Sequence, residues 1–213
     1  MERILHYIHD PLCGWCYAAE QLADAVSARS QGQFDIRLHA GGLFPRTWLP
    51  EAKRAYIRDA DARIAAMTGQ VFGDAYLHGL LAEPTVVYDS FVPIRGILAA
   101  EKVKAGSSLA MLKALQRAHY MRGLRIAEPT TIVHVAEDAG FDRHRFADAV
   151  ESITGAELQK HLDSTHRLMN EVGAGGFPTF IAQTGRQFRV LPHERFYDDP
   201  QGFADMADAL LQS

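Results

Sequence analysis

A chain of 213 residues, 47% apolar and 23% charged, has the composition of a globular protein with room for one large domain or two small ones. Its net charge of -4 is spread without runs of one sign, which argues against nucleic acid or an anionic membrane as the main partner. No stretch approaches the length of a membrane span, and the opening MERILHYIHDP lacks the apolar run of a secretory signal, so a cytoplasmic setting is expected.

In chain order, ILHYIH alternates apolar and polar residues and predicts a strand over 3–8. Asp10-Pro11 marks a turn, and a helix follows over 13–28, with Ala18, Leu22, Ala25 and Val26 on one face. FDIRLHA predicts a second strand over 34–40, broken by Gly41-Gly42.

From Pro45 onward the pattern turns helical. Segments are expected over 49–67, then after a cap at Asp89 or Ser90, after a cap at Ser107 or Ser108, from Glu128-Pro129 to Gly140, from Asp142, and over 155–172. The apolar VVY at 86–88 is read as loop or helix entry. Trp48, Phe72, Tyr76 and Tyr120 are read as core residues of these helices, with one or two open to a groove. Strand character returns over 178–183 and 186–191 around a Thr184-Gly185 hairpin turn, and a last helix is expected over 199–212. The two early strands need partners, and the good candidates lie after the helical block. This predicts one α/β domain built from residues 1–44 and 170–213, with an all-helical domain of residues 45–169 inserted between.

Cys13 and Cys16 are the only cysteines, and they stand as a C-x-x-C where the first strand gives way to a helix. Two cysteines are too few for a disulfide scaffold, and cytoplasmic thiols are kept reduced. The spacing lets the sulfurs close a ring across the first helical turn. The first sulfur sits where backbone N–H groups and the helix dipole favour negative charge. A cysteine near pKa 8.5 is ~3% thiolate at pH 7, and one shifted to ~6 is about 90% thiolate. Cys13 is therefore expected to be the exposed, attacking sulfur, and Cys16, one turn inward, the resolving one. Gly14 lets substrate backbone approach, and Trp15 offers a flat apolar surface beside the sulfurs.

The competing reading of a C-x-x-C is half of a zinc site. It lacks further ligands. His161 and His166 are separated by about 140° on a helix, and strand alternation sends His6 and His9 to opposite faces. The second informative stretch is VGAGGFPTF, where Phe177-Pro178 opens a strand. A proline there removes a ladder donor, so it is either a trans-proline on an edge or a cis X–Pro bond.

These two motifs together, with the runs YIHDPLCGWCYA, LHAGGLF, LQRAHYMRGLRIAEP and GGFPTF, resemble the DsbA family of thioredoxin-fold proteins. The similarity is to its cytoplasmic, FrnE-like branch of predicted protein-disulfide isomerases, and it covers essentially the whole chain. The resemblance implies a thioredoxin fold with inserted helices that roof the active site and shape a substrate groove. It implies that Pro178 is a catalytic cis-proline beside the dithiol, and that the backbone of Phe177 faces the substrate. Many relatives keep a buried carboxylate under the dithiol. The corresponding position here is Tyr7, so Asp10 is the candidate proton acceptor, with turn and capping as its competing role.

The expected activity is thiol–disulfide exchange through a mixed disulfide on Cys13, with protein or low-molecular-weight thiols and disulfides as partners. It needs no metal and no bound cofactor, and it leaves glutathione open as a co-substrate. The alternative is a glutathione-dependent isomerase or transferase of the 2-hydroxychromene-2-carboxylate isomerase or kappa-class type, which resembles the same architecture but typically carries a serine where Cys13 stands. A thiol-independent chaperone or a zinc carrier is the remaining class. The sequence leaves open the direction of electron flow and the oligomeric state.

Overall fold

The computed structural model describes residues 2–30 and 32–212. Strand β1 (Arg3–His9) is followed by α1 (Gly14–Ala18), α2 (Glu20–Ser30) and β2 (Asp35–Ala40). β2 lies parallel to β1, with Leu5 opposite Ile36 and Tyr7 opposite Leu38. This is a βαβ unit whose crossover helix begins at the dithiol. The expected helix over 13–28 is present but bends at Ala19, whose ψ of 0° interrupts regular geometry while its N–H still bonds the Trp15 carbonyl.

A two-residue β3 (Thr47–Trp48) precedes α3 (Glu51–Thr68), a π-helical segment (Ala75–Leu80) and β4 (Val87–Tyr88). Then follow α4 (Phe91–Val103), α5 (Ser108–Tyr120), α6 (Pro129–Asp138), α7 (Arg143–Ser152) and α8 (Gly155–Val172). The chain returns to the sheet with β5 (Thr179–Thr184) and β6 (Gln187–Val190), and ends in α9 (Pro200–Gln212). The sheet order is β2-β1-β5-β6, with β5 antiparallel to both β1 and β6. Thr184 faces Gln187, so the hairpin turn is Gly185-Arg186, with Gly185 at a φ of +60° that glycine adopts without strain.

Alternation along β1 fixes what packs on each face of the sheet. Tyr7 stacks on Phe180 at 4.4 Å, and Phe180 in turn meets Phe203 of α9 edge to face. Ile8 and Ile181 pack with Met169 of α8 on the other side. One contiguous apolar cluster runs from Leu5 and Leu22 into Ile94, Leu112, Ile132 and Phe146 of the helical block. Lys113 and Arg117 of α5 pair with Asp24 and Glu20 of α2 across the same boundary.

Three local expectations are corrected. Val87 and Tyr88 are strand, paired with Trp48 and Thr47, because an isolated two-residue ribbon needs only this partner some forty residues earlier. Trp48 is not core: it is 63% exposed on that ribbon. Ser90 and Ser107 occupy N-cap positions without capping through their side chains. Of the two candidates before α4 it is Asp89 that bonds, accepting the Phe91 N–H at 2.9 Å, while the Ser107 hydroxyl turns back to the carbonyls of Ala100 and Lys104.

Candidate active site

The end of β1 delivers the chain to the dithiol through a tight turn. The Cys13 N–H donates to the Asp10 carbonyl at 3.2 Å, and Cys13 takes extended geometry as the N-cap of α1. Its sulfur then stands in for a capping oxygen: the Cys16 N–H donates to Cys13 Sγ at 3.3 Å. The Cys13 thiol donates to the Phe177 carbonyl at 3.6 Å, and the Phe177–Pro178 peptide bond is cis. Cys13, Cys16, Phe177 and Asp10 therefore meet in one place. Both cysteines are free thiols.

The expectation of an open sulfur is corrected. Cys13 is only 7% exposed and Cys16 not at all. The Phe177 backbone covers Cys13 on one side, and side chains of the helical block face it on the other. The asymmetry between the two sulfurs remains, since what access there is belongs to Cys13.

Behind the pair, the Asp10 N–H donates to Cys16 Sγ at 3.4 Å. Burial first, and then the neighbouring Cys13, push the Cys16 thiol well above the usual cysteine range. Tyr7 donates its hydroxyl to the Cys16 carbonyl at 3.1 Å, and burial holds that phenol neutral. Tyr7 thus supports the helix start without offering a base. Asp10 is completely buried. Its Oδ1 accepts from the Leu12 N–H and the Ser90 hydroxyl, both at 2.9 Å, and Oδ2 from the Leu43 N–H at 2.7 Å. Burial raises its carboxyl to about 6, against the lowering pull of these donors. The turn role and a titratable carboxyl beside Cys16 coexist in one side chain.

Two spaces flank the dithiol. On the cis-proline side, Trp15, Phe177, Pro178, Leu191, His193 and Tyr197 line a cleft of about 620 Å³, with Trp15 tilted against Tyr197 at 5.6 Å. On the helical side, Cys13, Gly14 and Trp15 line a cavity of about 300 Å³ with Asp61, Tyr76 and Tyr120. Tyr76 and Tyr120 are buried in the core and also border this cavity. Asp61 and Tyr197 escaped sequence reasoning, and Ser90 was named there only as a helix cap. Only Asp61 carries a signal: with Ile57 and Ile64 it falls at the i, i+4, i+7 positions of α3, a carboxylate inside an apolar stripe.

The histidines singled out in the sequence are occupied elsewhere. His161 Nε2 accepts the Ala40 N–H at 3.0 Å, and His166 Nε2 donates to the Gly41 carbonyl at 2.8 Å. His6 bonds His39 and Gln183, while His9 packs on the Tyr7 ring.

A reduced C-x-x-C at the first helix of a βαβ unit, facing a cis-proline before an antiparallel hairpin, has the means to exchange electrons with disulfides and defines a thiol–disulfide oxidoreductase. Comparison with known proteins agrees. Residues 5–199 match the DSBA-like thioredoxin domain, and the chain belongs to that family. The cytosolic disulfide reductase DsbM from Pseudomonas aeruginosa is 38% identical, with a TM-score of 0.90 over 98% of each chain. Its structure with GSH superposes with a TM-score of 0.89 at the same identity, over 99% of this chain and 100% of that one. A provisionally assigned protein disulfide isomerase from Nitrosomonas europaea is 23% identical, with a TM-score of 0.82 over 100% and 98% of the two chains, a likeness of fold. A 2-hydroxychromene-2-carboxylate isomerase shares the fold more distantly, at 17% identity and a TM-score of 0.58 over 99% and 100%. No curated protein sequence matches the chain. Among the described residues no helix is long and apolar enough to cross a membrane.

Proposed function

We propose that the protein reduces disulfides in the cytoplasm, with Cys13 as attacking sulfur, Cys16 as resolving sulfur and glutathione as the co-substrate that restores the dithiol. The carrying observation is the unequal placement of the two sulfurs: Cys13 retains access beside the Phe177 carbonyl, while Cys16 is sealed behind it. The 38% identical relative, described as a cytosolic disulfide reductase and also solved with GSH, supports the direction and the co-substrate.

In this reading the Cys13 thiolate attacks one sulfur of the substrate. The substrate S–S bond breaks, and its other half leaves with the electron pair and gains a proton. Cys16 must then lose its own proton. Its sulfur is buried and hard to ionise, so a base nearby is required. Asp10, whose backbone touches Cys16 Sγ, is that acceptor. The Cys16 thiolate attacks Cys13 Sγ and releases the second substrate thiol. Two electrons have passed to the substrate, and a Cys13–Cys16 disulfide remains. Two glutathione molecules reverse it, leaving as oxidised glutathione. Pro178 holds the Phe177 backbone against the sulfur, where an extended substrate can pair with it. Gly14 gives room for that approach, and Trp15 with Tyr197 offers an apolar surface. Residues 45–169 act as an inserted domain that walls the other side.

Cys13→Ser should abolish glutathione-coupled reduction of insulin or of a small disulfide. Cys16→Ala should accumulate the Cys13 mixed disulfide, visible by mass. Full turnover by the Cys13 variant would refute the assignment. Activity that needs Cys13 but not Cys16 would favour the isomerase-type alternative.

A further inference from the structure

The cavity on the helical side of Cys13 contains a buried carboxylate that the exchange chemistry does not use. Asp61 enters it from α3 and is only 3% exposed. Its Oδ2 accepts the Tyr76 hydroxyl at 2.8 Å. Its Oδ1 lies against the dithiol loop, where a β-carbon added to Gly14 would come within 2.6 Å of it. Asp10 shows by contrast what the fold does with a carboxylate it satisfies, since both oxygens there take backbone or hydroxyl donors. Asp61 has the Tyr76 hydroxyl, and among the described residues no ion pair reaches its carboxyl within 4.0 Å. A desolvated carboxylate without a counter-charge is costly to keep, and a ligand cation relieves that cost.

The surrounding walls suit a cation. Tyr56, Tyr88, Tyr120 and Phe44 line the same space. Aromatic faces attract ammonium groups, and one of these rings already does so: Lys53 Nζ lies 4.8 Å from the Tyr56 centroid at the cavity mouth. Cys13 shares the cavity, so a group held here belongs to a molecule whose sulfur is in reach of attack.

We infer that this cavity is a subsite for an ammonium group borne close to the reacting sulfur of the substrate, with Asp61 Oδ1 as its counter-charge, so that short aminothiol disulfides are preferred over neutral ones. The inference rests on the reading of Cys13 as the attacking sulfur and names a substrate class for it.

Burial raises the Asp61 carboxyl to about 7, so its charge develops across neutral pH. The groups that share its cavity are Tyr76 from the π-helical segment, Tyr88 from β4, Tyr120 from α5, Cys13 from the dithiol turn, and Lys53 from its own helix, whose Arg54 acts on Tyr88. Burial pushes all three phenols up, so they stay neutral over this range. His119, packed on Tyr76 and Tyr120, is held neutral by a fall to about 4. Ionisation of Cys13 acts on every disulfide alike and cancels in a ratio of rates.

The test uses the full reduced protein and two disulfides of similar size, cystamine and bis(2-hydroxyethyl) disulfide. Each rate of mixed-disulfide formation is divided by the rate of the same disulfide with dithiothreitol, which removes intrinsic reactivity. The cystamine preference should be about tenfold at about pH 8 and fall toward one at about pH 6. Asp61→Asn, which keeps the size and the Tyr76 contact, should bring the ratio to about one at both pH values, whatever it does to the separate rates. A wild-type ratio near one, a ratio flat across pH, or a preference that survives Asp61→Asn overturns the subsite. The wild-type profile decides even if the variant fails to fold. A protein that reacts with neither disulfide overturns the exchange reading itself, and this inference with it.

Discussion

Cys16 has no exposed surface, and burial together with the Cys13 sulfur holds its proton in place. That proton has to leave through the protein, and in the proposed mechanism Asp10, whose backbone N–H bonds the Cys16 sulfur, takes it. A carboxyl at about 6 is poised for this task, because it is mostly ionised at neutral pH yet still basic enough to take a proton. Asp10→Asn should therefore slow release of the Cys13 mixed disulfide on the order of 100-fold, while the first attack by Cys13 changes little. Quenched-flow mass analysis of the adduct separates the two steps. In the wild type, release should fall away below about pH 6 as Asp10 gains its proton, and the variant should lack that limb. A variant that slowed both steps equally and kept the limb would reduce Asp10 to its turn role, which the Leu12 and Leu43 N–H bonds already document.

At the level of elements, the end of β2 props the cis-proline loop. His161 of α8 takes the Ala40 N–H, His166 of the same helix bonds the Gly41 carbonyl, and Gly41 lies under the Phe177 ring. A β-carbon at Gly41 would meet Phe177 Cζ at 2.0 Å, and the ring is too stiff to yield at its far end alone. Gly41→Ala should shift the loop, cost about 1–3 kcal/mol in urea unfolding and slow mixed-disulfide formation about tenfold. A variant with unchanged rates would uncouple β2 from the loop. Elements of this kind divide into those the sequence reveals and those it hides. The helices over 51–68 and 155–172 and the strands around the hairpin were legible, because apolar periodicity and Gly or Pro punctuation agree there. The β3–β4 ribbon was not, since two residues make no period and the pairing is long-range. The C-x-x-C was legible because its spacing carries its chemistry. The cover over Cys13 was not, because it comes from a carbonyl 164 residues later in the chain. Asp61 stood in plain view as a charge on an apolar stripe, but only the fold shows that the stripe faces the dithiol.

Across the whole molecule, buried histidines and buried carboxylates pull stability in opposite directions with pH. Burial holds His9 and His39 down to about 3 and His119 to about 4, below the ~6.5 of an unfolded chain. Each contributes stability in full above that value and loses it as pH falls, because the unfolded chain takes up a proton that the folded one refuses. Burial does the reverse for Asp10 and Asp61, raised to about 6 and about 7. They keep protons that the unfolded chain has lost, so their contribution is full below ~3.9 and disappears as pH rises through the folded value. Near pH 5 the unfolded chain thus holds about three extra protons on histidine, and the folded chain about two on carboxyl groups. For these five groups the net difference is about one proton, or about 1.4 kcal/mol of lost stability per pH unit on acidification; it shrinks as pH rises and stability levels off between about pH 7 and 8. His6, His161 and His193, also lowered by burial, add to the histidine side. Asp61→Asn removes one folded-state proton, so the acid slope near pH 5 should steepen to about two protons, and the slope near pH 6 should roughly double. Urea unfolding at a series of pH values reads the slope. An unchanged slope in the variant would mean that Asp61 is ionised throughout, with a counter-charge already at hand, and the cavity beside Cys13 would then have no use for a cationic guest.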